Sequence, residues 1–350
     1  MSALQDPCVT LGFPVLTNGQ VQFQLQGETG VAYTIEGSTD LQNWMPLATN
    51  VWSSPGLISV PDSPSFSFWR AKRGLLPVFT GAVTVQDAIN FNGYQLFADS
   101  YDSYDPNHST PTGVYDPLTR KAGGDINTQL GLINVSGAFI NGRIRSTPSG
   151  SLSLGPAGWV GDLDWLGPGV QPGWFDPGFR FCYRNFDFSG FSNGITPSVM
   201  GTNTYILGSD NYVLPSLTLV SNQTVTVIGN ATLYVAGDID MKGNSSFFIH
   251  PGAALHLIVA GAKTVLRGVN TVGSPVTFQY YGLPANTSFQ WSGNQGYVGL
   301  IFAPQAAVSI GGGGAGTNDY QGAIVAKSLS LNGRLSIHFD ENLLRRGLMR

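Results

Sequence analysis

Residues 234–243 read YVAGDIDMKG, and the same pattern is written three more times before residue 333. In each copy two short runs of β-forming residues meet at a corner, and the copy ends at a glycine, which is typical of a strand–turn–strand unit. The other copies are IVAGAKTVLRG at 258–268, IFAPQAAVSIG at 301–311 and IVAKSLSLNG at 324–333. The first two copies start 24 residues apart and the last two 23, while the 43 residues between the middle two leave room for one degenerate copy. A period in the twenties predicts a solenoid, because one unit cannot bury its own apolar face.

Alternating apolar and polar residues extend this pattern towards the N-terminus, at 217–219, 225–227 and 232–235. Such alternation turns one face of a strand inward and the other outward. We therefore predict an all-β chain whose main domain, residues 76–350, is a parallel β-helix. Residues 145–200 are rich in glycine, proline and aromatic residues and predict a loop-rich insertion. A cap around residues 338–350 would cover the last exposed strand edge.

The composition supports a sheet-rich protein and argues against nucleic-acid binding. Charged residues make up 11% of the chain, against roughly 25% in an average soluble domain. Glycine accounts for 46 of 350 residues, and such a chain suits tight turns between strands. The formal net charge is −4, and no basic cluster of the kind that contacts phosphates is present. No run of 18 apolar residues exists, so we predict no transmembrane segment.

The two cysteines, Cys8 and Cys182, fall in different predicted domains. They could form a disulfide in an oxidising compartment, but two buried thiols are the favoured interpretation.

Residues 1–75 predict a separate small β module. Alternation at 21–25 and 33–36 indicates strands. The stretch YTIEGSTDLQNW at 33–44, with Trp69-Arg70-Ala71 at its end, resembles a module common in secreted proteins of environmental bacteria. The resemblance covers about residues 10–73 and implies a β-sandwich of fibronectin or immunoglobulin style, an accessory unit without catalysis.

From residue 78 onward the chain resembles secreted or pilus-associated bacterial proteins of unassigned function. The likeness rests on the acidic stretch 99–125, on VSGAFINGRI at 135–144, and on the repeats with their closing phrase LNG…HFDE at 331–341. The resemblance implies a right-handed β-helix at the cell surface or outside the cell. Residues 1–7 lack the basic start and apolar core of a signal peptide, so either the protein is cytosolic or the chain begins near a mature N-terminus. The resemblance favours the second alternative, with the signal peptide removed.

An acidic block is the first candidate site. It contains five aspartates, which are Asp99, Asp102, Asp105, Asp116 and Asp125. His108, Arg120 and Lys121 lie in the same stretch. Oxygen-rich clusters bind Ca²⁺, although the spacing lacks the alternating ligands and closing glutamate of an EF-hand. In a lyase-like alternative Arg120 or Lys121 would remove a proton beside a cation. The favoured interpretation is a solvated loop built from aspartate-stabilised turns.

An aromatic group is the second candidate. Trp159, Trp165 and Trp174 accompany Asp162 and Asp164, a combination that can bind sugars by stacking and hydrogen bonding. The favoured alternative is that the rings pack against the β-helix, since loops rich in glycine and proline need bulky anchors.

These features favour a non-enzymatic extracellular or cell-surface protein with a structural or adhesive role. Its expected partner is a second copy in a filament or surface layer, because the ends of a solenoid are open strand edges. The alternative is a polysaccharide-binding or polysaccharide-degrading protein of the lyase type. We expect no cofactor, with Ca²⁺ at the acidic block as the alternative.

Overall fold

The structure is a computed structural model of the chain. It describes residues 10–27, 32–51, 56–61, 66–73, 79–91, 95–129, 133–135, 137–150, 152–179, 189–200, 204–271, 273–292, 296–311 and 317–345. Cys8 and Cys182 lie outside these ranges, so their pairing stays a prediction. Two compact units are present: the first includes the described residues 10–73, and the second includes the described residues of Phe79–Pro177 and Asn185–Arg346.

The first unit contains two small antiparallel sheets that resemble a β-sandwich. Its strands are β1 (Thr10–Leu11), β2 (Val15–Thr17), β3 (Gln20–Gln26), β4 (Ala32–Ser38), β5 (Met45–Val51), β6 (Gly56–Pro61) and β7 (Phe68–Arg73). Strand β3 pairs with β1, β2 and β6, and β4 lies between β5 and β7. The alternating side chains of β3 and β4 supply most of one shared core, to which Phe23, Tyr33 and Ile35 contribute.

The second unit is also built from strands. The first group comprises β8 (Val83–Val85), β9 (Ile89–Phe91), β10 (Gln95–Tyr101), β11 (Ile126–Thr128), β12 (Ile133–Val135), β13 (Ala138–Asn141), β14 (Ile144–Arg145), β15 (Leu152–Ser153), β16 (Trp159–Gly161), β17 (Gly169–Val170) and β18 (Phe175–Asp176). The second group comprises β19 (Ser198–Met200), β20 (Thr204–Leu207), β21 (Asn211–Leu214), β22 (Leu217–Leu219), β23 (Thr224–Val227), β24 (Asn230–Val235), β25 (Ile239–Met241), β26 (Ser246–Ile249), β27 (Ala254–Val259), β28 (Lys263–Leu266), β29 (Gly268–Thr271), β30 (Phe278–Gly282), β31 (Ser288–Trp291), β32 (Tyr297–Gly311), β33 (Thr317–Asn332) and β34 (Arg334–Asp340). Short 3₁₀ helices are Ser189–Ser192, Pro275–Thr277 and Glu341–Arg345.

These strands form one large sheet that is parallel except where β19 pairs antiparallel with β20, and its parallel pairings fall into three columns. Column 1 runs β20, β23, β26, β29, β32, β33, β34, β10, β13, β16 and β17. Column 2 runs β21, β24, β27, β30, β32, β33, β8, β11, β14 and β18. Column 3 runs β22, β25, β28, β31, β32, β33, β9, β12 and β15. The repeats of the sequence supply the middle of columns 2 and 3.

Each column buries a ladder of large apolar side chains in register. In column 2 the ladder is Tyr212, Leu233, Leu257, Tyr280, Ile301, Ile324, Val83, Ile126 and Ile144, all of them buried. Burying one such aliphatic side chain is favourable by roughly 1.5–3 kcal/mol. The ladders therefore stabilise each strand through its neighbours above and below rather than through its own segment.

Glycines in and beside the repeats allow neighbouring strands of a column to approach closely. A Cβ on Gly261 would lie 2.1 Å from the carbonyl carbon of Gly237, the equivalent glycine of the preceding copy. Gly322 has a φ of +143°, and a Cβ there would lie 1.9 Å from the oxygen of Gly299, its partner in register. These corners therefore accept no side chain.

The order of the strands in the columns differs from their order in the chain. The chain enters the middle of the columns at β8–β10 and proceeds to one end at β15–β18. After residues 177–197 it resumes at the opposite end with β19 and β20, and it returns to the middle at β33 and β34. There β34 pairs with β10, and β33 pairs with β8 and β9. We call these three pairings the seam.

The seam changes two features of the sequence-based picture. The strands were expected to stack as one continuous spiral, but the first strands pair with the last, because an open strand edge pairs with any edge in register. Of the cap expected around residues 338–350, residues 346–350 lie outside the described ranges, and in the rest β34 has a neighbour on each side. The helix Glu341–Arg345 therefore lies beside the seam and not at an end of a column. Residues 145–200, expected to be irregular, include β15–β18, which extend the columns.

Candidate functional site

A buried charged cluster lies across the seam, centred on His338. Asp99 of β10 and His338 of β34 are partners in register, although 239 residues separate them in the sequence. His338 Nδ1 lies 2.5 Å from Asp99 Oδ1, and its Nε2 lies 2.9 Å from Asp319 Oδ1 on β33. The side chain of Asp99 is completely buried and that of His338 is 7% exposed. One imidazole thus joins carboxylates from both sides of the seam.

The loop that follows β10 covers this cluster. The Tyr115 ring stacks on the His338 ring with centroids 3.7 Å apart, and its hydroxyl donates to Asp99 Oδ2 at 2.7 Å. Arg120 lies 3.9 Å from the same carboxylate and above the ring of Phe97. Asp99 therefore accepts contacts from three directions, and its charge is compensated by two cations.

The surroundings of His338 favour its protonated form. Burial lowers the pKa of His338, but the hydrogen bonds and charges of Asp319 and Asp99 outweigh burial and raise the pKa to about 9. Burial raises the pKa of Asp319, and the contact with His338 reverses this, so the pKa lies below its usual value. At neutral pH the group is a carboxylate–imidazolium–carboxylate arrangement, and His338 is not a free base.

Further contacts beside the cluster connect the loop after β10 to the helix Glu341–Arg345. Arg345 donates two hydrogen bonds to Asp102, at 2.9 and 2.6 Å. Ser103 donates through its amide and its hydroxyl to Asp340, at 2.9 and 2.7 Å. Burial raises the pKa of Asp340, and the hydrogen bonds that Ser103 donates oppose this rise without cancelling it.

A third group of contacts surrounds Glu341. Lys121 forms an ion pair with Glu341, and Ser100 Oγ donates to the same carboxylate at 2.8 Å. The amide of Gly123 donates to Ser100 Oγ in turn. The two sides of the seam are thus joined by side chains as well as by backbone pairing, and we call all of these contacts together the clasp.

The five aspartates of the acidic block have separate partners. Asp99 and Asp102 belong to the clasp. Asp105 and Asp116 accept backbone amides two residues further on, as in an Asx-turn. Asp125 forms an ion pair with Arg145 at 2.8 Å, and burial raises its pKa. Within the described ranges no group of three or more His, Cys, Asp or Glu side chains is placed to hold a metal ion. The calcium hypothesis stays a prediction that these contacts do not favour.

The aromatic group lies at the end of the columns formed by β16–β18. Trp159 is half-buried and meets Phe139 edge to face, with ring centroids 5.8 Å apart. Trp174 lies under the guanidinium of Arg143, 5.4 Å from the ring centroid, and Trp165 is half-buried with its indole nitrogen enclosed.

The two aspartates of this group belong to a turn. The Asp162 carboxylate accepts one hydrogen bond from the Gln171 side chain and one from the Asp164 backbone amide, each at 3.1 Å. Asp164 itself is exposed. The hydrogen bonds of this turn thus explain the position of the Asp162 carboxylate. The three tryptophans lie on the neighbouring strands and loops.

His338, Asp319 and Arg345 were not among the predicted site residues. A signal was present, because both the acidic stretch and the closing phrase that contains His338 carried the family likeness. Only pairing across the seam shows that these two stretches are neighbours.

Comparison with known proteins adds a family match over part of the chain. Residues 191–346 match DUF7305, a domain of unknown function. The match covers less than half of the chain and includes the strands from β19 to β34. A search of curated proteins found no match. In the described part of the chain, no helix has the length and hydrophobicity needed to span a membrane.

Proposed function

We propose that the protein is a non-enzymatic structural or adhesive protein of the cell surface or extracellular space, built on a right-handed parallel β-helix. The observation that carries this proposal is the set of three parallel columns, each with a buried ladder in register. From β20 to β33 the partners in register lie 19 to 28 residues apart, as expected for a chain that winds through three strands per turn. Connections between parallel strands of one sheet are right-handed in about 98% of cases, which favours a right-handed winding of the β-helix.

The chemistry of the seam supports a structural role over a catalytic one. Both ring nitrogens of His338 face carboxylates, and Tyr115 covers one face of the ring. Arg120 and Lys121, the bases of the lyase alternative, form ion pairs with Asp99 and Glu341. Groups held this way stabilise a fold, whereas a general base must reach the proton that it removes.

The test is to locate the protein and its assemblies. Brief protease treatment of intact source cells should remove the protein, while a cytosolic marker survives. Negative-stain microscopy of purified protein at rising concentration should show elongated or ordered assemblies. A protein that is protected in intact cells and stays a compact monomer at every concentration would contradict the proposal.

A second candidate function is polysaccharide binding at the aromatic group. The observation that favours it is the grouping of half-buried Trp159, Trp165 and Trp174, with Arg143 stacked on the last. Affinity electrophoresis against acidic and neutral polysaccharides tests this candidate. Retardation that Trp165→Ala abolishes and that Trp44→Ala, in the first unit, preserves would support it. Equal mobility of all three proteins in every gel would reject it.

A further inference from the structure

The two edges that meet at the seam are complementary over a long stretch. Strand β10 pairs with β34 at seven positions, and β33 pairs with β8 and β9 at three positions each. The next rung, between β8–β10 and β11–β13, has three pairs in each column. The seam is therefore paired at least as extensively as its neighbour, and the clasp adds side-chain specificity.

Covalent connectivity makes the seam different from the other rungs. From β20 to β33, neighbouring rungs belong to consecutive turns joined by short corners, such as Ala236–Asp238 between β24 and β25, whereas residues 102–125 connect β10 to β11. Separating those rungs would require a turn to unwind. The two sides of the seam belong to residues 79–176 and 198–345, and the chain joins these two parts only through residues 177–197. The seam can therefore open while every individual turn remains intact.

We propose that the seam is an exchange point at which β8–β10 of one copy pair with β33 and β34 of a second copy. This inference rests on the assembly role proposed above and names the surface that performs it. In the exchanged form the same register pairs and the same clasp contacts, including Asp99 to His338 and Asp102 to Arg345, form between two chains. Exchange of identical elements is an inexpensive route to oligomers. Because each copy has one edge of each kind, the contact is head-to-tail and extends into a chain or closes into a ring.

The exchange has a distinctive dependence on concentration and time. The strand pairs and clasp interactions that form between two copies are the same as those that break within one copy, so protein concentration decides the equilibrium. Opening requires the clasp and three sets of strand pairs to separate, so exchange is slow in native buffer. Mild urea, below the unfolding transition, should accelerate it.

A pair of single-cysteine variants tests the exchange. Asn90 and Ser330 are partners in register across the seam in column 3. Neighbouring strands lie about 4.8 Å apart, within the range of Cα separations that a disulfide accepts. In a background with Cys8→Ser and Cys182→Ser, the Asn90→Cys and Ser330→Cys proteins are mixed at high concentration in mild urea, returned to buffer and oxidised.

The expected result is a disulfide-linked heterodimer that increases with protein concentration. The control mixture combines Asn90→Cys with Ser153→Cys, since both positions are exposed but lie two rungs apart on the same side of the seam. This control should give no heterodimer above background. The double variant Asn90→Cys/Ser330→Cys, oxidised when dilute, should stay monomeric where the reduced protein assembles.

The outcomes separate this inference from the assembly role. If the oxidised double variant assembles as the reduced protein does, or if both mixtures give equal heterodimer, exchange is rejected and assembly through another surface stands. If no variant assembles at any concentration, exchange and the assembly role are both rejected.

Discussion

Replacing His338 with glutamine should destabilise the second unit in a way that depends on pH. Glutamine approximates the size of the ring and keeps a donor, but it cannot carry the charge that lies between Asp99 and Asp319. The imidazole also stacks on the ring of Tyr115 and packs against the ring of Phe97, and Arg120 lies near Asp99. Burial and then the charge of Asp99 raise the pKa of Tyr115 above its usual value, so its hydroxyl stays neutral across the range of interest.

The magnitude follows from the shift in the His338 pKa. A change from 6.5 to about 9 corresponds to about 3 kcal/mol of stabilisation of the folded state. Because the folded pKa is raised, this contribution is complete below pH 6.5 and is lost as the pH rises through 9. Asp319 is 48% exposed, and solvent screens its share, so we expect about 2 kcal/mol of this stabilisation.

Thermal unfolding at several pH values measures the effect. For a domain of this size 1 kcal/mol shifts Tm by about 2–4 °C, so His338→Gln should lower Tm by about 4–8 °C at pH 6. The difference from the wild type should shrink through pH 8 and nearly vanish by pH 10. The matched control is His250→Gln, at an exposed histidine of the same unit, which should stay within about 0.5 kcal/mol of wild type. A His338→Gln difference that is the same at pH 6 and pH 10, or that grows with pH, would refute the reasoning.

Two further substitutions test the clasp and the close approach of coils. Arg345→Met should lower the free energy of unfolding by about 1–3 kcal/mol at pH 7, measured by urea titration, because the buried carboxylate of Asp102 loses the two hydrogen bonds from Arg345. The control Arg334→Met, at an exposed arginine, should be nearly neutral in the same titration. Equal midpoints for these two variants would count against the clasp. Gly322→Ala should cost more than about 3 kcal/mol and lower the soluble yield, while Gly190→Ala, which has open space around it, should fold normally. A normal melting temperature for Gly322→Ala would show that the coils are less tightly stacked than described.

The repeats predicted the strands well because strand formation and burial are local consequences of alternation. The gap of 43 residues was expected to hold a degenerate copy, and β30 and β31 occupy it, with Tyr281 between Ile258 and Phe302 in register. The aromatic residues of this copy obscured the likeness. In the structure Ile258 is in register with Phe302, through Tyr281, whereas the sequence repeat aligns Ile258 with Ile301. Sequence similarity cannot detect this shift of one residue, because both neighbours in each strand are apolar.

The order of the strands could not be predicted, and the candidate site depends on that order. The periodicity of the sequence indicates that each strand needs neighbours, but it does not identify which strands those neighbours are. The seam joins residues more than 230 positions apart, so the contact between Asp99 and His338 left no local pattern. The acidic block was recognised as polar and turn-rich, which Asp105 and Asp116 confirm. Its buried members could be understood only with the C-terminal partners in place.

An intramolecular disulfide across the seam tests the central claim most directly. With Asn90→Cys and Ser330→Cys in one chain and the native cysteines replaced, oxidation of the dilute monomer should give an internal bond between these two positions, identified by peptide mapping. If the turns instead followed chain order, column 3 would separate these residues by about eight rungs of 4.8 Å, roughly 40 Å. Efficient bond formation in the monomer is the result that a mid-column seam predicts, and a dilute monomer that retains both thiols while folded would contradict it.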